Sequence, residues 1–139
     1  MTVELIACID VDDLDRATDF YCRALELEVN RRFGDAVVEL KGASATIHLL
    51  AKPAGSTPAA GTAQRREYTR HWTPVHLDFV VPDVDAAVAR AQAAGAHLEG
   101  AIRAHRWGRI AQLADPFGHG FCLIQFLNRG YDEIATPVD

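Results

Sequence analysis

The residues equipped for chemistry lie on short apolar segments, not in one compact motif. His48 sits in Thr46-Ile-His-Leu-Leu, and His76 in Thr73-Pro-Val-His-Leu-Asp-Phe-Val-Val. Histidine is the side chain whose ordinary pKa suits proton transfer near neutrality, so either can act as acid or base. On a strand, alternate residues share a face. Cys8 then lies on the face of Ile6, and Asp78 and Val80 on the face of His76. Asp78 reads either as a polar pocket group or as an interior carboxylate bonded to a neighbouring strand. Glu39 falls on a middle strand; it is a general base if it points inward and otherwise a solvated or interface carboxylate.

A second group, Arg103, His105, Arg106, Trp107 and Arg109, clusters on one predicted hairpin. Arginine offers a planar fork to carboxylates and phosphates, and tryptophan a flat stacking face. Together with Trp72 they can line the mouth of a pocket for an anionic or aromatic ligand, or form an ordinary exposed hairpin tip. The chain has no Ser-His-Asp set, phosphate-cradling loop, CxxC pair or HExxH segment.

The elements that must position these residues are written twice. Val3-Glu-Leu-Ile-Ala-Cys-Ile-Asp-Val-Asp-Asp-Leu-Asp-Arg-Ala aligns with Thr73-Pro-Val-His-Leu-Asp-Phe-Val-Val-Pro-Asp-Val-Asp-Ala-Ala when Asp13 is set on Asp83. Leu14 then meets Val84, Ala17 meets Ala87 and Ile6 meets His76. Such a repeat means two similar half-units that pack on each other. In the first, a strand over 3–11 leads to a helix capped by Asp12 or Asp13, with Leu14, Ala17, Phe20, Tyr21, Ala24 and Leu25 on its buried face. Strands are expected at 28–33, 36–41 and 45–50. In the second, a strand at 75–81 precedes a helix capped by Asp83 or Asp85 and ended by Gly95. Strands follow at 97–103, 109–114 and 120–126, the last two joined by the turn Asp115-Pro-Phe-Gly. The expected fold class is α+β: two βαβββ modules forming a cupped mixed sheet with helices outside.

The organisation is one domain of 139 residues: module one 1–51, a connecting loop 52–72, module two 73–127 and a tail 128–139. The loop is rich in Ala, Gly, Pro and Thr and carries net +3. A loop of that length is a lid, a partner-binding arm or a disordered linker. The chain has 14 basic and 19 acidic residues, a net charge of −5, which argues against nucleic acid as a partner. No apolar run reaches membrane-spanning length, so no membrane partner is expected. The opening residues show no signal-peptide pattern, and the three widely spaced cysteines, Cys8, Cys22 and Cys122, read as reduced thiols; the expected location is cytoplasmic.

The two modules, the string from Val11 to Tyr21 (Val-Asp-Asp-Leu-Asp-Arg-Ala-Thr-Asp-Phe-Tyr) and Ala114-Asp-Pro-Phe-Gly-His-Gly-Phe-Cys-Leu resemble the vicinal oxygen chelate superfamily. It includes glyoxalases, extradiol dioxygenases, methylmalonyl-CoA epimerases and bleomycin-resistance proteins. The resemblance covers nearly the whole chain. It speaks to fold more than to reaction, since one fold hosts many functions.

In metal-binding members the resemblance implies four inward ligands, one from the first and one from the last strand of each module. Here those positions are Ile6, His48, His76 and Cys122, where His or Gln and then Glu are usual. Ile6 cannot bind a metal. His48, His76 and Cys122 are capable ligand types, a three-residue set that suits zinc with one position open. His119 belongs to the family's turn signature and is expected to serve the fold.

The preferred expectation is therefore a metal-free protein that binds a small organic ligand in a cup, with no cofactor. Its candidate lining is Ile6, Cys8, His48, Trp72, His76, Asp78, Arg106, Trp107 and Cys122. The alternative is a metal-dependent enzyme of the glyoxalase lyase, epimerase or extradiol dioxygenase type, using a divalent Zn, Fe, Ni or Mn on His48, His76 and Cys122. A third reading uses His48 or His76 as acid or base without metal. The resemblance also implies a homodimer.

Overall fold

Asp13 and Asp83, matched in the repeat, do the same work. Each has extended backbone (φ −137° and −143°) and turns its carboxylate onto the first turn of a helix, accepting from Arg16 N at 3.0 Å and Ala86 N at 3.2 Å. A short acidic side chain at that position satisfies an otherwise unpaired N–H and complements the helix dipole. The helices that follow are α1, Leu14–Leu25, and α2, Val84–Ala94. Gly95, at φ +120°, ends α2 as expected.

The computed structural model describes residues 1–138. Among the described residues nine strands run in chain order as β1 Ile6–Val11, β2 Glu28–Phe33, β3 Val37–Lys41, β4 Thr46–Ala51, β5 Leu77–Val80, β6 His97–Leu98, β7 Arg103–His105, β8 Gly108–Ala114 and β9 Gly120–Phe126. They form two mixed sheets. The first has the order β1-β4-β3-β2, the second β5-β9-β8-β6 with β7 also on β8. In each, the strand before the helix pairs in parallel with the last strand of its module, β1 with β4 and β5 with β9.

Both first strands are shorter than expected, starting at Ile6 and Leu77. The single strand expected at 97–103 is two, because Gly100 takes φ +86° between β6 and β7. The cup is not one continuous sheet either. β1 and β5 stand at edges of separate sheets, and among the described residues no ladder joins them.

Alternation divides each sheet. Val38, Leu40, Ile47 and Leu49 on one, and Ala111, Leu113, Phe121 and Leu123 on the other, are buried with Phe20, Ala24, Val84 and Ala91 of the helices. α1 also packs directly on α2, so one apolar core runs through both halves. Burying a side chain such as Phe20 or Leu49 completely contributes roughly 1.5–3 kcal/mol. The opposite faces carry Ile6, Cys8, Asp10, Glu39, His48, Asp78, Gln112 and Cys122, and these are the residues with chemistry.

The loop 52–72 is a bonded strap. Gly55 N–H donates to Arg66 O and Arg66 N–H to Ser56 O, at 2.8 and 3.0 Å. Arg66 Nε reaches Asp10 Oδ2 at 2.7 Å, and Tyr68 donates its hydroxyl to Lys52 O at 2.7 Å. Arg70 grips Glu99 with two bonds, 2.7 and 3.0 Å. Its end lies against the β8–β9 turn, where Gly118 has φ +85° and a Cβ would collide with the Thr69 carbonyl. The tail forms a 3-10 turn, Gly130–Glu133, whose Tyr131 packs on Trp107 and Phe126.

Candidate functional site

In module one the site is a row across four strands. Cys8 of β1 is the register partner of His48, His48 of Glu39, and Glu39 of Arg31. Glu39 is buried and every lone-pair direction is in use. Oε1 accepts from Asn30 Nδ2 at 2.8 Å and Arg31 Nε at 2.7 Å; Oε2 accepts from Arg31 Nη2 at 2.9 Å and lies 2.7 Å from His48 Nε2. The Arg31 bonds first, then His48, lower its carboxyl to about 2. Such a carboxylate stays ionised and has no free lone pair with which to take a proton from a substrate. It lies on the sheet face opposite the core and fixes the His48 ring through its Oε2. Phe33 completes the row, with the Arg31 guanidinium 5.1 Å above its ring and His48 at 5.7 Å.

In module two, His76 and Asp78 lie two residues apart on one face, with His76 Nε2 3.1 Å from Asp78 Oδ1. Asp78 is the register partner of Cys122 on β9. Burial, and secondarily the Asp78 charge, push the Cys122 thiol up to about 11, so it is a proton donor toward Asp78. One ligand atom from each of His76, Asp78 and Cys122 lies within 4.8 Å of the other two. His76 and Cys122 border a hollow of about 300 Å3 that also includes Trp72, Arg103 and Gln112.

Between the edges of β1 and β5 lies a cleft of about 500 Å3 walled by Ile6, Cys8, Phe79, Phe121, His76 and His119. His119 sits at its end, with Nε2 2.6 Å from Asp10 O and Nδ1 3.1 Å from His71 Nε2, while His71 Nδ1 is 2.8 Å from Thr69 O. The expected structural role of His119 takes the form of a tie between strap, first module and turn.

Of the residues singled out in the sequence, the structure brings Ile6, Cys8 and His76 to the cleft, and Trp72, His76 and Cys122 to the adjoining hollow. His48 is not among the donors gathered with His76 and Cys122; its Nε2 lies against Glu39. Arg106 and Trp107 line neither space. Glu133 of the tail holds Arg106 at 2.6 Å, and the Trp107 ring lies between His105 and Tyr131. The His71–His119 contact and the Asn30–Arg31 clamp had no sequence signal, since both depend on register and on the path of the strap.

The four positions implied for a family metal centre do not fit one. Ile6 has no donor atom, His48 is withheld, and only His76 and Cys122 approach each other. Among the described residues no helix is long and apolar enough to cross a membrane.

With this geometry in place, the family is clear. The chain belongs to the glyoxalase-like domain family, whose pattern matches residues 6–124. That places it in the glyoxalase, bleomycin-resistance and dioxygenase superfamily. It is 33% identical over 136 residues to the anthracycline biosynthesis protein DnrV of Streptomyces peucetius, covering 96% of this chain but 43% of that protein. The chain thus spans less than half the length of that relative. It is 32% identical to the uncharacterized protein Mb0911c of Mycobacterium bovis, over 92% of this chain and 87% of the other. Among solved structures, the antibiotic-binding protein TnmS3 from Streptomyces sp. CB03234 superposes with a TM-score of 0.62 and 25% identity, covering 91% of this chain and 98% of that one.

Proposed function

We propose that this chain holds a small, largely apolar organic molecule in the cleft between β1 and β5, without the four-ligand metal centre of the family's enzymes. The observation that carries this reading is the cleft itself: about 500 Å3, apolar-walled, with Ile6 where a first-strand ligand would stand. Ligand pockets are typically concave and apolar with a few fixed polar groups. Here the polar groups are His71, His76 and His119. The kinship with an anthracycline biosynthesis protein and the likeness to an antibiotic-binding protein support a planar polycyclic aromatic as the ligand class.

The test is a titration of anthracyclines, simpler polycyclic quinones and glycopeptide antibiotics, followed by calorimetry and thermal shift. A ligand at a hundred times its Kd adds about 2.7 kcal/mol to stability. Micromolar or tighter binding by polycyclic aromatics is expected. No shift with any member of the panel would overturn the reading. The alternative, a metal-dependent lyase, epimerase or dioxygenase on His48, His76 and Cys122, has less support because His48 is bound to Glu39. Robust turnover of a hemithioacetal or a catechol with added zinc, iron, nickel or manganese would reverse that ranking. We also propose a homodimer in solution; light scattering showing a monomer at micromolar concentration would contradict it.

A further inference from the structure

Beside the cleft, the strap walls a second hollow of about 370 Å3. Asp10, His71 and His119 border both spaces, so the two adjoin at the His71–His119 contact. We propose that the strap hollow receives an uncharged, hydroxyl-bearing arm, such as a glycosyl group, of the molecule whose flat body lies in the cleft. The inference rests on the reading of the cleft as a ligand site and adds the chemistry of the ligand's other end.

Charge argues that the arm is neutral. Asp10, Glu67, Arg65 and Arg66 border the hollow, two of each sign. Arg66 Nε is bonded to Asp10 Oδ2 at 2.7 Å. Among the described residues Arg65 and Glu67 have no ion-pair partner, and they are again one cation and one anion. A phosphate or carboxylate entering there meets repulsion as well as attraction, whereas sites that recognise such groups present complementary charge. The two imidazoles are already engaged, His71 with Thr69 O, His119 with Asp10 O, and each with the other.

Hydrogen bonding argues for hydroxyls. The polar groups left to a guest come from the strap. The Gln64 side-chain amide both donates and accepts, Glu67 accepts, and Arg65 uses only Nη1, on the Thr62 and Gln64 carbonyls, which leaves Nε and Nη2 to donate. A hydroxyl donates and accepts at once, so a polyol can satisfy both kinds of neighbour. An apolar arm would take water from these groups and return no bond. Tyr68 uses its hydroxyl on Lys52 O at 2.7 Å and offers the hollow its ring.

The strap holds this wall in place before a ligand arrives. Glu67 stands between two anchored neighbours: Arg66, whose N–H donates to Ser56 O at 3.0 Å and whose guanidinium holds Asp10, and Tyr68 with its bond to Lys52. Gln64 N–H donates to Thr62 Oγ1 at 3.1 Å. A wall ordered in advance loses less on binding than one that must fold around its guest.

The experiment uses the full chain and calorimetry with three probes built on one flat body: hydroxymethylanthraquinone, its neutral O-glucoside and its O-carboxymethyl ether. The glucoside should bind about tenfold more tightly than the parent, as one or two net hydrogen bonds would give. The carboxymethyl ether should gain nothing. Gln64→Ala combined with Glu67→Ala should erase the advantage of the glucoside and leave the affinity of the parent as it was. Both positions are exposed, so the variant should melt with the wild type. Equal affinity for parent and glucoside, an equal gain for the carboxymethyl ether, or an advantage that survives the double substitution would each overturn this inference while leaving organic-ligand binding in the cleft intact. Failure of all three probes to bind would overturn the cleft reading and this one with it.

Discussion

Tyr21, on the helix of the first module, donates its phenol to Asp115, at the β8–β9 turn of the second, 94 residues along the chain. Both are buried. The other oxygen of Asp115 accepts from Phe117 N at 2.8 Å and His119 N at 2.9 Å, so one carboxylate shapes the turn and fastens it to the opposite half. Burial, reinforced by the Asp115 charge, pushes the Tyr21 phenol well above its usual range, which keeps it a donor at all ordinary pH. Tyr21→Phe removes the donor and leaves a buried carboxylate oxygen unpaired. A loss of about 1–3 kcal/mol is expected in urea unfolding. An unchanged midpoint would show that the bond contributes nothing.

The Glu39 network sets an acid limit. Its carboxyl ionises at about 2 in the fold, against 4.5 for a free side chain. A depressed pKa means that the folded state holds the proton less tightly than the unfolded one. The contribution is therefore complete above about 4.5 and is lost as pH falls toward 2. Glu39→Gln should lower the urea midpoint at pH 7. The gap from wild type should narrow steadily between pH 4.5 and 2. A gap independent of pH would mean that packing, not charge, carries the effect.

Gly118→Ala tests the seat of the strap. The residue has φ +85°, and the added methyl meets the Thr69 carbonyl. A loss on the order of 2 kcal/mol or more is expected. Amide exchange should accelerate first around residues 66–71, where His71 N–H bonds to Gly118 O at 3.2 Å.

The cleft can be plugged without touching the core. Ile6 is 52% exposed and lines the β1 wall. Ile6→Trp should reduce polycyclic-aromatic affinity at least tenfold while stability stays within about 0.5 kcal/mol. Trp107→Phe, packed under the tail, should leave affinity unchanged. The opposite pair of results would move the ligand to the hairpin.

Local signals were legible in the sequence. The repeat matched Asp13 to Asp83, and both are caps; Gly95 ends its helix; strand alternation placed Cys8 with Ile6 and Asp78 with His76. What could not be read was anything set by register between strands. Glu39 and His48 are nine residues apart on neighbouring strands, and only the β3–β4 pairing aligns them. Asp78 and Cys122 are 44 apart and meet only through β5–β9. A residue type at a plausible position therefore could not show that the His48 ring lies 2.7 Å from the Glu39 carboxylate. For Trp107 likewise, nothing local shows that the tail returns to pack on its ring.

The missing ladder between β1 and β5 has a consequence for guests of different thickness. The halves are joined through helix contacts, the Tyr21–Asp115 bond, the His119–Asp10 contact and the strap. Widening the gap would break no inter-strand amide bond, because among the described residues no ladder spans it. If the proposed ligand binds there, an opening of this kind suits a family of related flat molecules, not one exact shape.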